Sequence, residues 1–373
     1  MNFKSLLLGS GAALMVVGGA QAADLTVAEP VDYVKVCDAF GTGYWYAPGT
    51  DTCIKIGGWV RFGVEFGEDI DGGPITNDYQ FRTRTSLQVT ASSMTEYGPL
   101  TAFMDYRIES YESLDSGDGA YLDSGWLQLG PIQAGKFTSS FDFGGGYDDD
   151  GGIRSDETVD HIALTYALNG FGIILSVEDP QDRTEEHDDL AGYGLSGDEE
   201  DFPDLVAALT YSSGIFSGKL SGAFTDSAVD DDQGWAVGLG VEVALDQFAP
   251  GDKFKIQAAY ADGAPSFIGA TNLGDFSAPG NGAGEGWNIL ASFIHYWQPN
   301  LNSVLTASYV DYDGTNDFVP GDSVEAWRVT FDTAYQPVTN LTLLGEIGYQ
   351  EIEADIDDTD GLFGLIRLQR DFP

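Results

Sequence analysis

The chain has 373 residues, with 16 Lys and Arg against 60 Asp and Glu and a formal net charge of −44. Such a surface repels nucleic acid and anionic lipid. A content of 43% hydrophobic and 13% aromatic residues supplies too much apolar surface for an acidic disordered chain. Nothing approaches about twenty continuous apolar residues, so no permanent membrane-spanning helix is expected.

Residues 1–22 read as a signal peptide. Lys4 gives a positive start, Leu6 to Val17 a short apolar stretch, and Ala20-Gln21-Ala22 a small-x-small cleavage site. Residues 23–52 follow as an N-terminal periplasmic segment. Cys37 and Cys53 are an even pair in an exported chain, which predicts a disulfide worth about 3 kcal/mol in the chain-entropy model.

From Cys53 onward the chain is all-β. Ile54, Ile56, Val60, Phe62, Val64 and Phe66 fall on one parity and Lys55, Arg61 and Glu65 on the other, so a strand here has one apolar and one charged face. The alternation recurs through residues 53–373 in about sixteen strands, as in a transmembrane antiparallel β-barrel, the only non-helical way to satisfy backbone polar groups in lipid. Short reversals such as Gly130-Pro131 and Asn169-Gly170 mark one end. Long acidic connections mark the other: Gly67–Asp78, Ser110–Gly119, Thr138–Asp156, Asp179–Pro203, Asp226–Gln233, Asp262–Glu285, Asp311–Asp322 and Glu351–Gly361. Tyr79, Trp126, Trp287, Tyr296, Trp297, Trp327 and Tyr335 stand near strand ends, where aromatic girdles form at membrane boundaries.

Catalytic signals are missing. The three histidines, His161, His187 and His295, stand in no recognisable nucleophile or metal motif, and no enzyme activity or cofactor is expected. Asp311-Tyr312-Asp313-Gly314 and Asp355 to Gly361 resemble fragments of calcium loops without the full ligand spacing. Weak Ca2+ binding at the acidic outer loops is the most they suggest.

The scarce basic residues are more telling. Lys55 and Arg61 share the polar face of the first strand, Arg82 and Arg84 that of the second, Arg107 follows on the third and Lys136 on the fifth. A lipid-facing Arg or Lys costs about 2–4 kcal/mol at the bilayer midplane, so these six are expected in the lumen as a basic wall. The connection at about residues 138–157 holds the acids Asp142, Asp148, Asp149, Asp150, Asp156 and Glu157 among glycines that let it fold tightly. Folded inward, it would set carboxylates across from the wall and narrow the pore, and such a field sorts solutes without any chemical step. The alternative for each basic residue is pairing with a lumen acid that only fills the barrel.

The run Val36-Cys37-Asp38-Ala39-Phe40-Gly41-Thr42-Gly43, continued by Tyr46-Ala47-Pro48-Gly49-Thr50-Asp51-Thr52-Cys53, closely resembles the start of the alphaproteobacterial outer-membrane porins, which open on a VCDAxGxGxxYxPGTxTC segment. The resemblance implies a homotrimeric, sixteen-stranded, water-filled pore for small hydrophilic solutes and ions, seated among outer-membrane lipid and lipopolysaccharide, with its third outer loop folded inward. Two departures are the Pro373 that follows the expected terminal aromatic Phe372 and the extreme acidity. The negative excess gives the expectation of modest cation selectivity. The rival readings are a porin with a specific saccharide or anion site, and an acidic secreted calcium-binding β-protein.

Overall fold

In a computed structural model the protein is described at residues 35–67, 79–111, 118–184, 202–226, 233–271, 273, 284–314, 323–354 and 358–372. The signal peptide, the start of the N-terminal segment and His187 lie outside the described residues.

Sixteen long strands are found among the described residues: β1 Cys53–Gly67, β2 Tyr79–Thr95, β3 Gly98–Tyr111, β4 Asp118–Leu129, β5 Ile132–Thr138, β6 Thr158–Leu168, β7 Phe171–Glu178, β8 Asp204–Ser213, β9 Phe216–Asp226, β10 Gln233–Ala244, β11 Lys253–Asp262, β12 Gly284–Gln298, β13 Leu301–Gly314, β14 Val324–Val338, β15 Leu341–Ala354 and β16 Asp358–Phe372. Each pairs antiparallel with its sequence neighbours. β16 then pairs with β1, from Phe363 opposite Gly67 to Phe372 opposite Gly58, so the sheet closes and no edge is left unpaired.

Alternation sorts the side chains as the sequence predicts. On β1 the apolar Ile56, Val60 and Phe62 are exposed on the outer face, and Trp59 is buried on the inner one. On β13 Leu305 points outward while Val304, Thr306, Ser308 and Val310 are buried inside. The short end is closed by tight turns. At Asn169-Gly170 both residues have positive φ, 50° and 84°, a conformation that suits the right-handed twist of the flanking strands and favours Asn and Gly.

Ring pairs Trp235–Tyr260, Trp287–Tyr309 and Trp327–Tyr349 lie 5.0–5.4 Å apart and form an outward girdle toward the long-loop end. Trp126 and Tyr296 do not join a girdle. Register puts Trp126 opposite Phe103, stacked at 5.3 Å, on the inner parity of Asp105, and Tyr296 shares the inner parity of Leu290 and Ser292. Two connections expected as loops, Asp311–Asp322 and Glu351–Gly361, are partly strand: β13 continues to Gly314, and β15 and β16 leave only residues 355–357 between them. Past the girdle the outward positions turn acidic, with Glu325, Glu351 and Asp360 taking hydrogen bonds from Tyr309, Trp327 and Tyr349. A strand leaving the hydrocarbon keeps its ladder but no longer needs apolar outward residues, so apolar alternation ends before the strand does.

Cys37 and Cys53, the first residue of β1, are joined in a disulfide with Cα atoms 6.0 Å apart. The two-residue strand Trp45–Tyr46 pairs with Ile54 and Cys53, folding this segment against the turn end of β1.

Candidate functional site

The inner face of β1–β4 carries a dense charged wall. Arg61 and Arg84 are directly opposite in register, as are Arg84 and Glu109, and Ser86 and Arg107. Arg82 meets Glu109 at 2.8 Å and Glu65 at 3.5 Å, and Arg84 meets the same Glu109 at 2.6 Å. Arg107 bridges Asp105 at 3.1 Å and Asp123 at 2.5 Å. Arg61 donates to the Gln369 side chain at 2.6 Å and lies 4.0 Å over the Trp59 ring, a contact a guanidinium makes well. The wall is therefore a lattice of arginines and carboxylates, with both signs of charge on one surface.

The connection of residues 139–157 folds inward and follows the opposite side. Its carbonyls are taken in order: Phe141 by the Ser221 hydroxyl at 2.7 Å, Asp142 by Lys219 at 2.6 Å, Gly144 by Gln257 at 2.8 Å and Gly145 by Lys255 at 2.7 Å. Further on, the Tyr147 amide donates to Ser292 Oγ at 3.0 Å, and its hydroxyl donates to Glu242 at 2.8 Å. At the tip, Asp148 accepts the hydroxyls of Thr306 and Thr330, Asp149 pairs with Arg367, and Asp150 pairs with Arg328 at 2.7 Å. These partners run from β9 to β16. Beneath the tip, Asp332 and Glu346 are directly opposite in register and 2% and 4% exposed; Glu346 accepts the Asp149 amide at 2.9 Å.

Small residues make the groove. On β10, Gly238 and Gly240 face inward, and a Cβ on Gly240 would lie 2.2 Å from the Phe143 ring. Only glycine lets the loop come this close.

Within the loop, burial pushes the Asp148 carboxyl up from the ordinary aspartate value, against the two threonine hydroxyls that stabilise its charge. Burial also raises Asp142, despite the nearby Arg183 guanidinium. The Tyr147 phenol is raised by burial and then by its bond to Glu242.

Of the expected wall, the fold brings Arg61, Arg82, Arg84 and Arg107 together. Lys55 is six residues from Arg61, about 20 Å along an extended strand, and its Nζ sits 6.0 Å from the Tyr44 ring of the N-terminal segment. Lys136 stands apart on the outward parity of the exposed Ile132, opposite Asp160 and bound to Asp182 at 2.8 Å. Of the expected loop acids, Asp148, Asp149 and Asp150 share the tip. Asp142 is buried at the loop's root, where it accepts the Glu157 amide at 2.9 Å, and Asp156 pairs with Arg154. His161 packs on Phe137 at 3.6 Å, and His295 holds Asp252 at 2.7 Å.

Sequence reasoning missed Lys219, Lys255, Arg328 and Arg367. Each sits on inner parity among small or polar neighbours, the same signal that singles out the first strands, but these later strands are separated by β10, β12, β13 and β15, which carry no Lys or Arg.

Residues 24–361 match the family model described as "Porin subfamily". The chain is 32% identical over 401 residues to porin Omp2b of Brucella neotomae and 31% identical over 399 residues to porin Omp2b of Brucella suis, in both cases over 100% of each chain. Among solved structures, the outer membrane channel DcaP of Acinetobacter baumannii superposes with a TM-score of 0.67 at 17% identity, covering 88% of this chain and 99% of its own. An OmpT structure of Vibrio cholerae superposes with a TM-score of 0.56 at 11% identity, covering 87% of this chain and 100% of its own.

Proposed function

The chain belongs to the porin subfamily whose model spans most of its length, and from that premise we propose that it is a modestly cation-selective pore whose narrowest point lies between the β1–β4 wall and the tip of the 139–157 loop. As an outer-membrane β-barrel porin, it passes small hydrophilic solutes and ions by diffusion, a task that needs no chemical step. The observation that carries the constriction reading is the chain of contacts holding the loop along β9–β16. These contacts leave the arginine–carboxylate wall as the facing side of the water path.

Opposed polar surfaces of this kind orient dipolar solutes and hinder apolar ones, which must displace ordered water. The negative excess of the chain draws cations to the mouth, an effect that fades as salt shortens the screening length. Homotrimeric assembly, with outer-membrane lipid and lipopolysaccharide around it, enters this reading through family membership. Weak Ca2+ at the outer carboxylates is a subsidiary part, and chelator should then lower the thermal transition.

Single-channel recording under a salt gradient tests the reading. Replacing Asp148, Asp149 and Asp150 together with Asn should move the reversal potential toward anions and widen the pore. Replacing Arg82 and Arg84 with Gln should move it further toward cations. If neither set alters reversal potential or conductance, the narrowest point is elsewhere.

A further inference from the structure

We propose that Arg183 is the positioning residue of the 139–157 loop, so that a side chain from a different outer connection fixes where the pore narrows. This rests on the reading that the loop sets the constriction. Arg183 lies in the helical turn Gln181–Thr184 that follows β7, and its side chain is fully buried. One guanidinium reaches both ends of the loop: Nη2 donates to Ser139 Oγ at 2.6 Å and Nη1 to Ser155 Oγ at 3.4 Å.

The same group holds the strands beneath. Glu178 at the end of β7 and Asp204 at the start of β8 are directly opposite in register, an arrangement that is repulsive when both are ionised. Arg183 sits 3.4 Å from Glu178 and 3.6 Å from Asp204. Glu178 passes the restraint on, accepting the Ser139 hydroxyl at 2.7 Å and the Ser140 amide at 2.9 Å. The face of the guanidinium lies 3.9 Å over Phe267, and Phe267 meets Phe141 of the loop edge-on at 5.0 Å.

The geometry needs arginine. A planar fork with five donors can address two serines and two carboxylates while stacking on a ring; an ammonium is a point charge on a flexible stem. Strand pairing alone would require only that Glu178 and Asp204 be neutralised. The bonds from Arg183 to Ser139 and Ser155 neutralise neither carboxylate and reach the loop instead, which marks Arg183 as more than a barrel salt bridge.

Two variants separate these roles in the full-length protein in planar bilayers. R183K keeps the charge and loses the fork. S139A/S155A removes the loop acceptors and the one hydroxyl that Ser139 gives Glu178, while Arg183, Glu178 and Asp204 keep their charges and their ion pairs, so it remains informative if R183K fails to fold. Both should keep wild-type β content, lose the single uniform conductance level and admit larger neutral polyethylene glycols than the wild type. Uniform conductance and an unchanged size limit in S139A/S155A, with neutralisation of Asp148–Asp150 still shifting the reversal potential, would overturn the proposal and leave the constriction reading standing. If neutralising the tip also changes nothing, the constriction reading falls and this proposal falls with it.

Discussion

Glu109 is the residue through which the facing wall is best tested, because a single carboxylate oxygen serves two guanidiniums, Arg82 at 2.8 Å and Arg84 at 2.6 Å. E109Q preserves shape and removes one negative charge, and Arg82 keeps Glu65 at 3.5 Å. An ion passing about 6 Å away feels a unit charge through water with about 0.7 kcal/mol. At about 0.1 M salt, with a screening length of about 10 Å, this falls to about 0.4 kcal/mol. Loss of the carboxylate raises the energy of a cation and lowers that of an anion by the same amount. The cation-to-anion permeability ratio should therefore drop roughly three- to fourfold. At about 1 M salt, where the screening length is about 3 Å, only about 0.1 kcal/mol per ion is left and the drop shrinks to roughly 1.4-fold. Reversal potentials of E109Q and wild type in the same salt gradients measure both. An unchanged potential at low salt, or an equal shift at both concentrations, would refute the placement of Glu109 beside the ion path.

Three further outcomes follow from the same geometry. C53S should lower thermal stability by about 3 kcal/mol and leave conductance near wild type, because the Cys37–Cys53 bridge lies at the turn end of β1; calorimetry and bilayer recording check the two halves, and alkylation of both thiols in unreduced native protein would contradict the bridge. G240V should destabilise by about 1–3 kcal/mol through overpacking, and, because its Cβ would enter the Phe143 ring, should also change conductance; a stability loss at constant conductance would detach this groove from the pore. On acidification, Asp148 should take up its proton before exposed carboxylates do, since burial raises it above the ordinary 3.8. For a carboxyl raised on folding, the stabilising contribution is full below the unfolded value and is lost as pH rises through the folded value. Acidification through that window should therefore reduce cation selectivity without loosening the loop, and D148N should lack this step in a titration of reversal potential.

The barrel was legible because lipid imposes a strict rule: outward positions must be apolar wherever the wall meets hydrocarbon, so Ile56, Val60 and Phe62 declare the face of Lys55 and Arg61 without any tertiary knowledge. The rule weakens away from the midplane, and that is where the structure departs from expectation. Lys136 argues for the lumen only if charge on the outer face costs the full midplane penalty. β5 has just seven residues, so Lys136 sits near its upper end, where the penalty falls to about 0–1 kcal/mol, and Asp182 neutralises it. The acidic ends of β13, β15 and β16 read as loops for the same reason.

The course of the loop was less legible, since it is set by contacts of long sequence separation. Lys219, Lys255, Thr306, Arg328 and Arg367 hold residues of the loop from positions far along the chain, and no local pattern in Phe141 to Ile153 names them. One strand does carry a signal. On β10 the outward residues Trp235, Val237, Leu239 and Val241 are large, and the inward Gly234, Ala236, Gly238 and Gly240 have almost no side chain. A bare inner stripe flanked on β9 and β11 by Lys219, Lys255 and Gln257 offers space together with donors for backbone carbonyls, which is what an inward loop of glycine and aspartate lacks on its own. The lysines bind loop carbonyls, and the tip aspartates find arginines and threonine hydroxyls on β13–β16. The loop's charge is thus largely matched on the side it leans against. A carboxylate removed from either side leaves its guanidinium partner facing the water path, Arg367 in D149N and Arg82 with Arg84 in E109Q, so each single change adds one positive charge there. D149N should therefore shift the reversal potential toward anions about as much as E109Q does at the same salt. A shift present in E109Q and absent in D149N would remove the tip from the ion path.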